Sequence, residues 1–522
     1  MRSIFNVIAV LVYIFTSQVS HAQTSIENAA PLLKPEKFSQ YISSFNGMED
    51  ENAINLIPNK DSWNWINANW PAFECPDRDI EKIYWYRCWT FRKNIKQMPG
   101  YLAITEFQSW NPVSSAVGHH VMEGRWISDP KYVDQAILYW LRGTDGKPND
   151  VHRFSSWTTW AAYQRYLVNM DQKYLIDILD DATRDYAQWE SERLTESGLF
   201  YQFDVRDAME ESITGSRVNK NLRPNTNSYM YGNAMAISAM AKLADKPDIA
   251  KTYQAKAEHL KKLVQDRLWD EKAQFFKVRT DKDTLSQARE AVGFVPWYFN
   301  LPDQGKGFEK AWDQLSDDAG FHAPFGLTTA ERRHPFFRTH GSGHGCEWDG
   351  PVWPFATSQT LTALINLLNQ STTQTIGVSK NDFLHAMQTY AISHHRNGLP
   401  YLGEYLDEMT GEWLKGDNPR SRYYNHSTYI DLVITGIVGL RPRADSIVEI
   451  NPLIPADRWP YFCLDRVRYH GCMLTILWDR DGSRYNKGSG LTVFADGQKI
   501  CHSEKIERIT GPLNESMLNP KK

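Results

Sequence analysis

Hydrophobic positions along this chain recur with a helical period over most of its length. Between Asp79 and Lys96 the residues Ile80, Ile83, Tyr84, Cys88 and Phe91 fall on one 3.6-residue stripe, which predicts a helix. A strand-like run over residues 101–107 follows. Periodicity then predicts helices over 114–127, 131–142, 155–169, 172–192, 229–244, 248–268, 305–317, 353–369, 380–394 and 427–440, separated by Asp, Gly and Pro clusters. Consecutive helices without strand alternation disfavour a doubly wound sheet or a TIM barrel. The absence of a fixed repeat of roughly 30–45 residues disfavours a short-repeat solenoid. The pattern predicts a mainly α fold in which helix pairs close into an α/α barrel.

Beyond Pro442 the texture changes. Residues 446–450, 473–478 and 491–495 are β-branched or apolar runs, with turns at Asp481-Gly482 and Asp496-Gly497. The predicted organisation is an irregular segment over 23–78, a barrel over 79–441, a small antiparallel β domain over 442–511 and a tail over 512–522. Ahead of these, Met1-Arg2, an apolar run over 4–15 and Ser20-His21-Ala22 have the form of an export signal over 1–22, cleaved near Ala22. A periplasmic or secreted protein is expected. The apolar run is too short to span a bilayer, and no later run reaches the roughly eighteen apolar residues a transmembrane helix needs.

Composition narrows the function. The net charge of −4 argues against a nucleic-acid binder, and the 42% hydrophobic and 23% charged content reads as globular. The six cysteines are sparse and form no CxxC pair, so buried thiols are expected and a thiolate zinc site is not. A Cys463–Cys472 bridge across a short hairpin is the one exception expected. Aromatic residues make up 13% of the chain, which suits both a large core and contacts to apolar sugar faces.

Three loops concentrate polar and aromatic residues: 202–215 leading to 223–232, 340–354 and 401–413. Two of the three carry carboxylates beside Trp or Tyr, and glycoside hydrolysis needs such a pair, one carboxyl to protonate the leaving oxygen and one to activate water or attack. Solvated loop charge is the bland alternative. His119 and His120 are adjacent and would point apart on a helix or strand; His340 and His344 are interleaved with glycines. No metal site is expected from either pair.

Ala208-Met-Glu-Glu-Ser212, Thr226-Asn-Ser-Tyr-Met-Tyr-Gly-Asn233, Leu268-Trp-Asp270, Trp348-Asp-Gly-Pro-Val-Trp353 and Glu404-Tyr-Leu-Asp-Glu-Met-Thr-Gly411 occur in the order of motifs in one glycosidase family. Across residues 190–440 the chain resembles the mannosylglycerate-hydrolase-like (MGH1-like) glycoside hydrolases, relatives of glycoside hydrolase families 63 and 37. The resemblance implies an (α/α)6 toroid, a six-hairpin glycosidase, that cleaves O-glycosidic bonds of oligosaccharides or polysaccharides with inversion. It maps the general base onto Glu404 and the general acid onto Glu210, where the family has Asp. The nearby Asp207 is the alternative acid, with Glu210 favoured. Asp349 stands where the family often has Arg, which makes an anionic substrate such as mannosylglycerate less expected. Trp348 and Trp353 are candidates for sugar stacking, and Arg223, Tyr229, Tyr231, Tyr423, Tyr424 and His426 for the pocket lining. No cofactor is implied; some relatives bind a structural calcium ion, and no residue here is assigned to one. The oligomeric state is left open.

An exo-acting, inverting glycosidase is thus the main expectation. The alternatives are a polysaccharide lyase using Arg422-Tyr-Tyr-Asn-His426, and a carbohydrate-binding protein without catalysis.

Overall fold

The computed structural model describes residues 31–51, 55–108, 111–143, 149, 151–370 and 377–514. The expected export signal lies outside the described residues, as does the tail beyond 514.

Two short helices, α1 (Glu36–Asn46) and α2 (Ser62–Asn69), and a three-residue strand, β1 (Ala72–Glu74), precede the first predicted helix. The expectation of an irregular segment over 23–78 is therefore corrected for its described part. Phe38, Ile42 and Phe45 form the buried stripe of α1. α3 (Arg78–Lys93) begins at Asp77, whose carboxylate accepts from the Ile80 amide at 3.1 Å. The hairpin β2 (Ile95–Met98) and β3 (Tyr101–Ile104) follows, then α4 (Val117–Gly124) and α5 (Lys131–Arg142). The chain continues through α6 (Thr158–Asn169), α7 (Gln172–Asp177) and α8 (Leu179–Arg193), then α9 (Pro224–Leu243) and α10 (Pro247–Leu268). The short α11 (Val295–Tyr298) leads to α12 (Pro354–Gln370), α13 (Lys380–Ser393) and α14 (Tyr429–Leu432). A π-turn over Val433–Ile437 ends the last of these.

Burial separates the paired helices into two kinds. α9 is buried on nearly every face, as is α12 through Leu367. Their partners bury one stripe each: Ala250, Tyr253, Ala257, Leu260, Val264 and Leu268 on α10, and Phe383, Leu384, Met387, Tyr390 and Ala391 on α13. Each pair thus joins an inner helix to an outer amphipathic one. Close approach inside the core depends on small residues: a Cβ on Gly232 of α9 would lie 2.3 Å from the Phe299 ring.

The helix predicted over 229–244 begins earlier, at Pro224, because its polar first turn is buried and hydrogen-bonded instead of solvated. Asn227 donates to the Phe200 carbonyl at 2.9 Å and accepts from the Phe200 amide at 2.7 Å. The helix predicted over 305–317 shrinks to a 3-10 segment, Phe308–Gln314, after Gly305 and Gly307, both at positive φ.

The carboxyl-terminal region is β. A five-stranded antiparallel sheet runs in the order β1, Tyr461–Tyr469, Cys472–Asp479, Gly490–Ala495 and Gln498–Ser503. Its edge comes from the other end of the chain, with Phe73 opposite Leu464. The expected Cys463–Cys472 bridge is ruled out by register: Cys463 faces Leu477, whereas Cys472 pairs with Tyr469 at the hairpin end. The described start of the tail is also held, by the Leu513 amide donating to the Ser446 carbonyl at 2.8 Å. Among the described residues no helix is long and apolar enough to cross a membrane.

Candidate active site

Glu210 sits on the loop between α8 and α9, flanked by two non-glycine residues in the left-handed region, Ala208 (φ 56°) and Glu211 (φ 59°). Such conformations persist only where the surroundings enforce them. The anchor is Asp207. Its carboxylate accepts from Asn225 Nδ2 at 2.8 Å and Thr226 Oγ1 at 3.1 Å, and pairs with Arg223 Nε at 2.6 Å. The polar first turn of α9 therefore fixes the base of the loop. With these partners Asp207 is committed as an acceptor, while Glu210 remains half-buried at the tip.

Glu404 is positioned by a local antiparallel pairing in which Val352 and Leu406 exchange backbone hydrogen bonds, both at 3.0 Å. The neighbouring Tyr405 donates its hydroxyl to the Gly345 carbonyl at 2.7 Å. The Glu404 carboxylate is buried, lies 3.2 Å from Lys415 Nζ, and accepts a weak contact from the Cys346 thiol at 3.7 Å.

A third carboxylate, absent from the sequence-derived candidates, belongs to this site. Glu106 follows β3 and is buried; its Oε1 accepts from Ser115 Oγ and Tyr424 OH, both at 3.0 Å, and meets His426 Nε2 in a very short contact. The signal available in the sequence is an acidic residue within the apolar run over 101–107.

The electrostatics follow from crowding three carboxyls in a poorly solvated place. Burial pushes Glu210 up to about 7, with a backbone hydrogen bond opposing and the charges of Glu106, Asp204 and Glu404 adding. Burial likewise raises Glu106 to about 7, against the hydroxyls of Ser115 and Tyr424 and the Arg420 charge. Glu404 is also raised by burial, but Lys415 and Arg420 pull it back toward ionisation. The half-buried Cys346 thiol is pushed up to about 12 by partial burial and the charges of Glu210 and Glu404, and stays protonated.

The other predicted residues divide by location. Tyr424 and His426 converge on Glu106, whereas their neighbours Arg422 and Tyr423 turn away to Glu49. The five-residue cluster suggested for a lyase is thus split between two places. Trp353 is buried and stacks on the rings of Trp348 (4.7 Å) and Tyr405 (4.6 Å); its indole N–H donates to the Glu347 carbonyl at 2.7 Å. Trp348 keeps a buried Nε1 with no partner among the described residues. Asp349 is held bidentately by Arg338 at 2.8 and 3.0 Å, and the same guanidinium reaches Glu211 at 3.1 Å. A cation therefore stands beside position 349, supplied from eleven residues earlier in the same loop. Tyr229 points inward and accepts from Gln359 at 2.7 Å, whereas Tyr231 faces the charges of Glu258 and Asp303 on the outer side. His340 pairs with Asp407 at 2.9 Å. Among the described residues no group of three or more His, Cys, Asp or Glu side chains is placed to hold a metal ion.

These shifts set a pH dependence of stability. Glu106, Glu123 and Glu210 all sit near 7 in the fold, above the roughly 4.3 of an unfolded glutamate. Their contribution is complete below that unfolded value and is lost as pH rises through 7. The buried His119, His120, His394 and His426 are depressed, so their contribution is lost below about 6.5, where the unfolded chain takes up protons. Above 6.5 the opposing histidine contribution fades over about one pH unit, while the carboxyl contribution is still being lost. The melting temperature is expected to fall between pH 6.5 and 8, and a thermal-denaturation series that rises over this interval would contradict these assignments.

Comparison with known proteins follows the same lines. Residues 109–427 match the family described as mannosylglycerate hydrolase MGH1-like glycoside hydrolase domain, and residues 440–501 match the glycosyl hydrolase family 65 C-terminal domain. A sialidase of known structure is 49% identical, with a TM-score of 0.89 over 92% of this chain and 45% of its own. The GH63 mannosylglycerate hydrolase of Thermus thermophilus in complex with glucose shares the fold at 13% identity and TM-score 0.50, over 67% of this chain and 98% of its own. The GH78 rhamnosidase of Bacillus sp. GL1 does so at 12% and 0.57, over 78% and 40%. An uncharacterized protein of Borreliella burgdorferi is 25% identical over 35% of this chain and 38% of its own. The chain spans less than half the length of that protein and of the sialidase. With a match over most of its length, the chain belongs to the MGH1-like glycoside hydrolase family.

Proposed function

We propose that this protein is an exported, exo-acting glycosidase that cleaves an O-glycosidic bond of an oligosaccharide with inversion, in the central pocket of an (α/α)6 toroid. The inner and outer helices of the α9–α10 and α12–α13 pairs support the toroid, and the amino-terminal apolar run supports export. The observation that carries the reading is the contrast between two carboxyls that feel each other's charge. Burial raises Glu210 to about 7, whereas Glu404, also raised by burial, is pulled back toward ionisation by Lys415 at 3.2 Å. In this mechanism Glu210 donates its proton to the departing glycosidic oxygen. Glu404 deprotonates a water on the opposite face of the sugar, and that water attacks the anomeric carbon. Inversion requires the carboxyls to stand ~6.5–9.5 Å apart with the water between them.

The Asp207 alternative is disfavoured because Arg223, Asn225 and Thr226 all require it as an acceptor. The names of the relatives do not fix the sugar, because the sialidase is a longer chain of which this one spans 45%. The test is proton NMR of the first-released product from a panel of aryl α- and β-glycosides. The reading expects hydrolysis with the anomer opposite to that of the substrate. Retention would overturn inversion, and an unsaturated uronate product would replace hydrolysis with elimination.

A further inference from the structure

Glu211 follows Glu210 on the loop between α8 and α9 and is held in the left-handed region, at φ 59°. Arg338 Nη2 donates to Glu211 Oε2 at 3.1 Å. The guanidinium is aimed there by its other partners. Asp349 takes Nε at 2.8 Å and Nη2 at 3.0 Å, and Glu347 Oε1 lies 3.6 Å from Nη1. The Arg338 amide also donates to the Asp349 carbonyl at 2.8 Å. Glu347 is itself buried and accepts from the Ser342 amide at 2.8 Å. On its other side the Glu211 carboxylate lies directly against Gly345: a Cβ there would fall 1.9 Å from Oε1, so only glycine leaves it room. The Gly345 carbonyl accepts the Tyr405 hydroxyl at 2.7 Å. From acid to base the contacts thus run from Glu210 through its neighbour Glu211 to Gly345, and from there through Tyr405 to its neighbour Glu404.

We propose that Glu211 and Arg338 form a clamp that sets the place of the acid relative to the base, with Glu211 the positioning residue and Gly345 the seat its carboxylate occupies. The proposal rests on the reading of Glu210 as the acid. Glu210 is then held from both sides. Asp207, ahead of it, is tied to Arg223, Asn225 and Thr226 at the start of α9, and Glu211, directly after it, is tied to the loop that carries Arg338 and Gly345. A loop with two non-glycine residues at positive φ, Ala208 and Glu211, needs such ties to keep its shape. The Arg338 and Glu211 side chains are 34% and 36% exposed, so their pairing adds little stability. Its contribution is geometric. The donor must come within hydrogen-bond reach of the leaving oxygen while the base holds a water on the other face of the sugar. A displacement of about 1 Å in either group can cost on the order of a hundredfold in rate.

Gly345→Ala tests this. The Gly345 backbone lies outside the left-handed region, so alanine meets no strain of that kind, and the group its methyl strikes is the free end of a flexible side chain. The thermal midpoint should stay close to that of the wild type while Glu211 is driven from its seat. The probes are the phenyl and dinitrophenyl glycosides of the sugar with the highest turnover. On the phenyl glycoside, whose leaving group needs the proton, kcat is expected to fall by about thirtyfold, and on the dinitrophenyl glycoside by less than about threefold, with KM changed by no more than about twofold on either. Glu211→Ala, which empties the seat, should reproduce that split, and carries the test alone should Gly345→Ala fail to fold. Glu211→Gln keeps the shape and an acceptor for Arg338 and should retain most of the activity. Adding Gly345→Ala to Glu211→Ala should cost nothing more. Equal losses on the two substrates, or no loss on either, would overturn the clamp, as would losses that multiply in the double variant. Glu210→Gln assayed alongside separates this role from the reading beneath it. If Glu210→Gln shows no dependence on the leaving group, the acid assignment falls and the clamp with it; if it shows one that Gly345→Ala and Glu211→Ala lack, only the clamp falls.

Discussion

Replacing Glu404 with glutamine is expected to lower kcat by about a thousandfold while changing KM by only a few-fold. The geometry supplies the reason. The carboxylate is buried with Lys415 against it, and its backbone is fixed by the Val352–Leu406 pairing and by the Glu404 amide donating to Ser421 Oγ at 3.0 Å. Glutamine fits the same space, so the loss reads chemistry and not folding. The acid behaves differently. Glu210→Gln should be most damaging on substrates whose leaving group needs a proton, and least on an activated dinitrophenyl glycoside, because only the former depend on Glu210. The discriminating measurement is kcat across leaving groups of graded acidity for both variants. If Glu404→Gln retains a tenth or more of wild-type kcat on every active substrate, the assignment of the base is wrong.

The helical scaffold was legible because its stripes are long. Lys131–Arg142 coincides with the periodic segment read from the sequence, and Lys380–Ser393 differs from its reading by one residue. What escaped depends on distant partners. β1 is only three residues, and its strand character comes from pairing with Tyr461–Tyr469 near the other end of the chain. That strand is itself disguised by Asp465, Arg466 and Arg468. α1 is an amphipathic helix whose stripe was hidden in a polar context.

The site shows the same division. Motif order pointed to Glu210 and Glu404 because each lies in a local pattern that can be read as a string. Glu106 lies in no such pattern and is identified only by its convergence with Tyr424 and His426. Aromatic content was the least specific guide. It drew attention to Trp353, whose ring stacks on Trp348 and Tyr405 within the protein, whereas the cation beside Asp349 comes from Arg338, earlier in the same loop.

The same dependence on distant contacts locates the most damaging substitution outside the carboxylates. Arg87 on α3 is fully buried; it donates to Asn425 Oδ1 at 2.9 Å and the Ser427 carbonyl at 2.8 Å, and lies 3.5 Å from Glu123. Glu123 in turn accepts from the Ile430 and Asp431 amides at 3.2 and 2.9 Å, at the start of α14. One guanidinium thus secures the loop on both sides of His426 and is the charge partner of a buried carboxyl. Arg87→Met removes the donors and the charge while keeping an unbranched apolar side chain. The expected cost is about 3–5 kcal/mol of stability, because Glu123 is left buried without its cation. Adding Glu123→Gln, which retains an acceptor for the two amides, should recover part of that loss, since it removes the stranded charge. Urea unfolding of the wild type, the two single variants and the double variant measures the coupling. Additive effects would show that the two side chains act independently. A restored stability without restored kcat/KM would separate Arg87's support of the fold from its placement of Asn425 and His426 against Glu106.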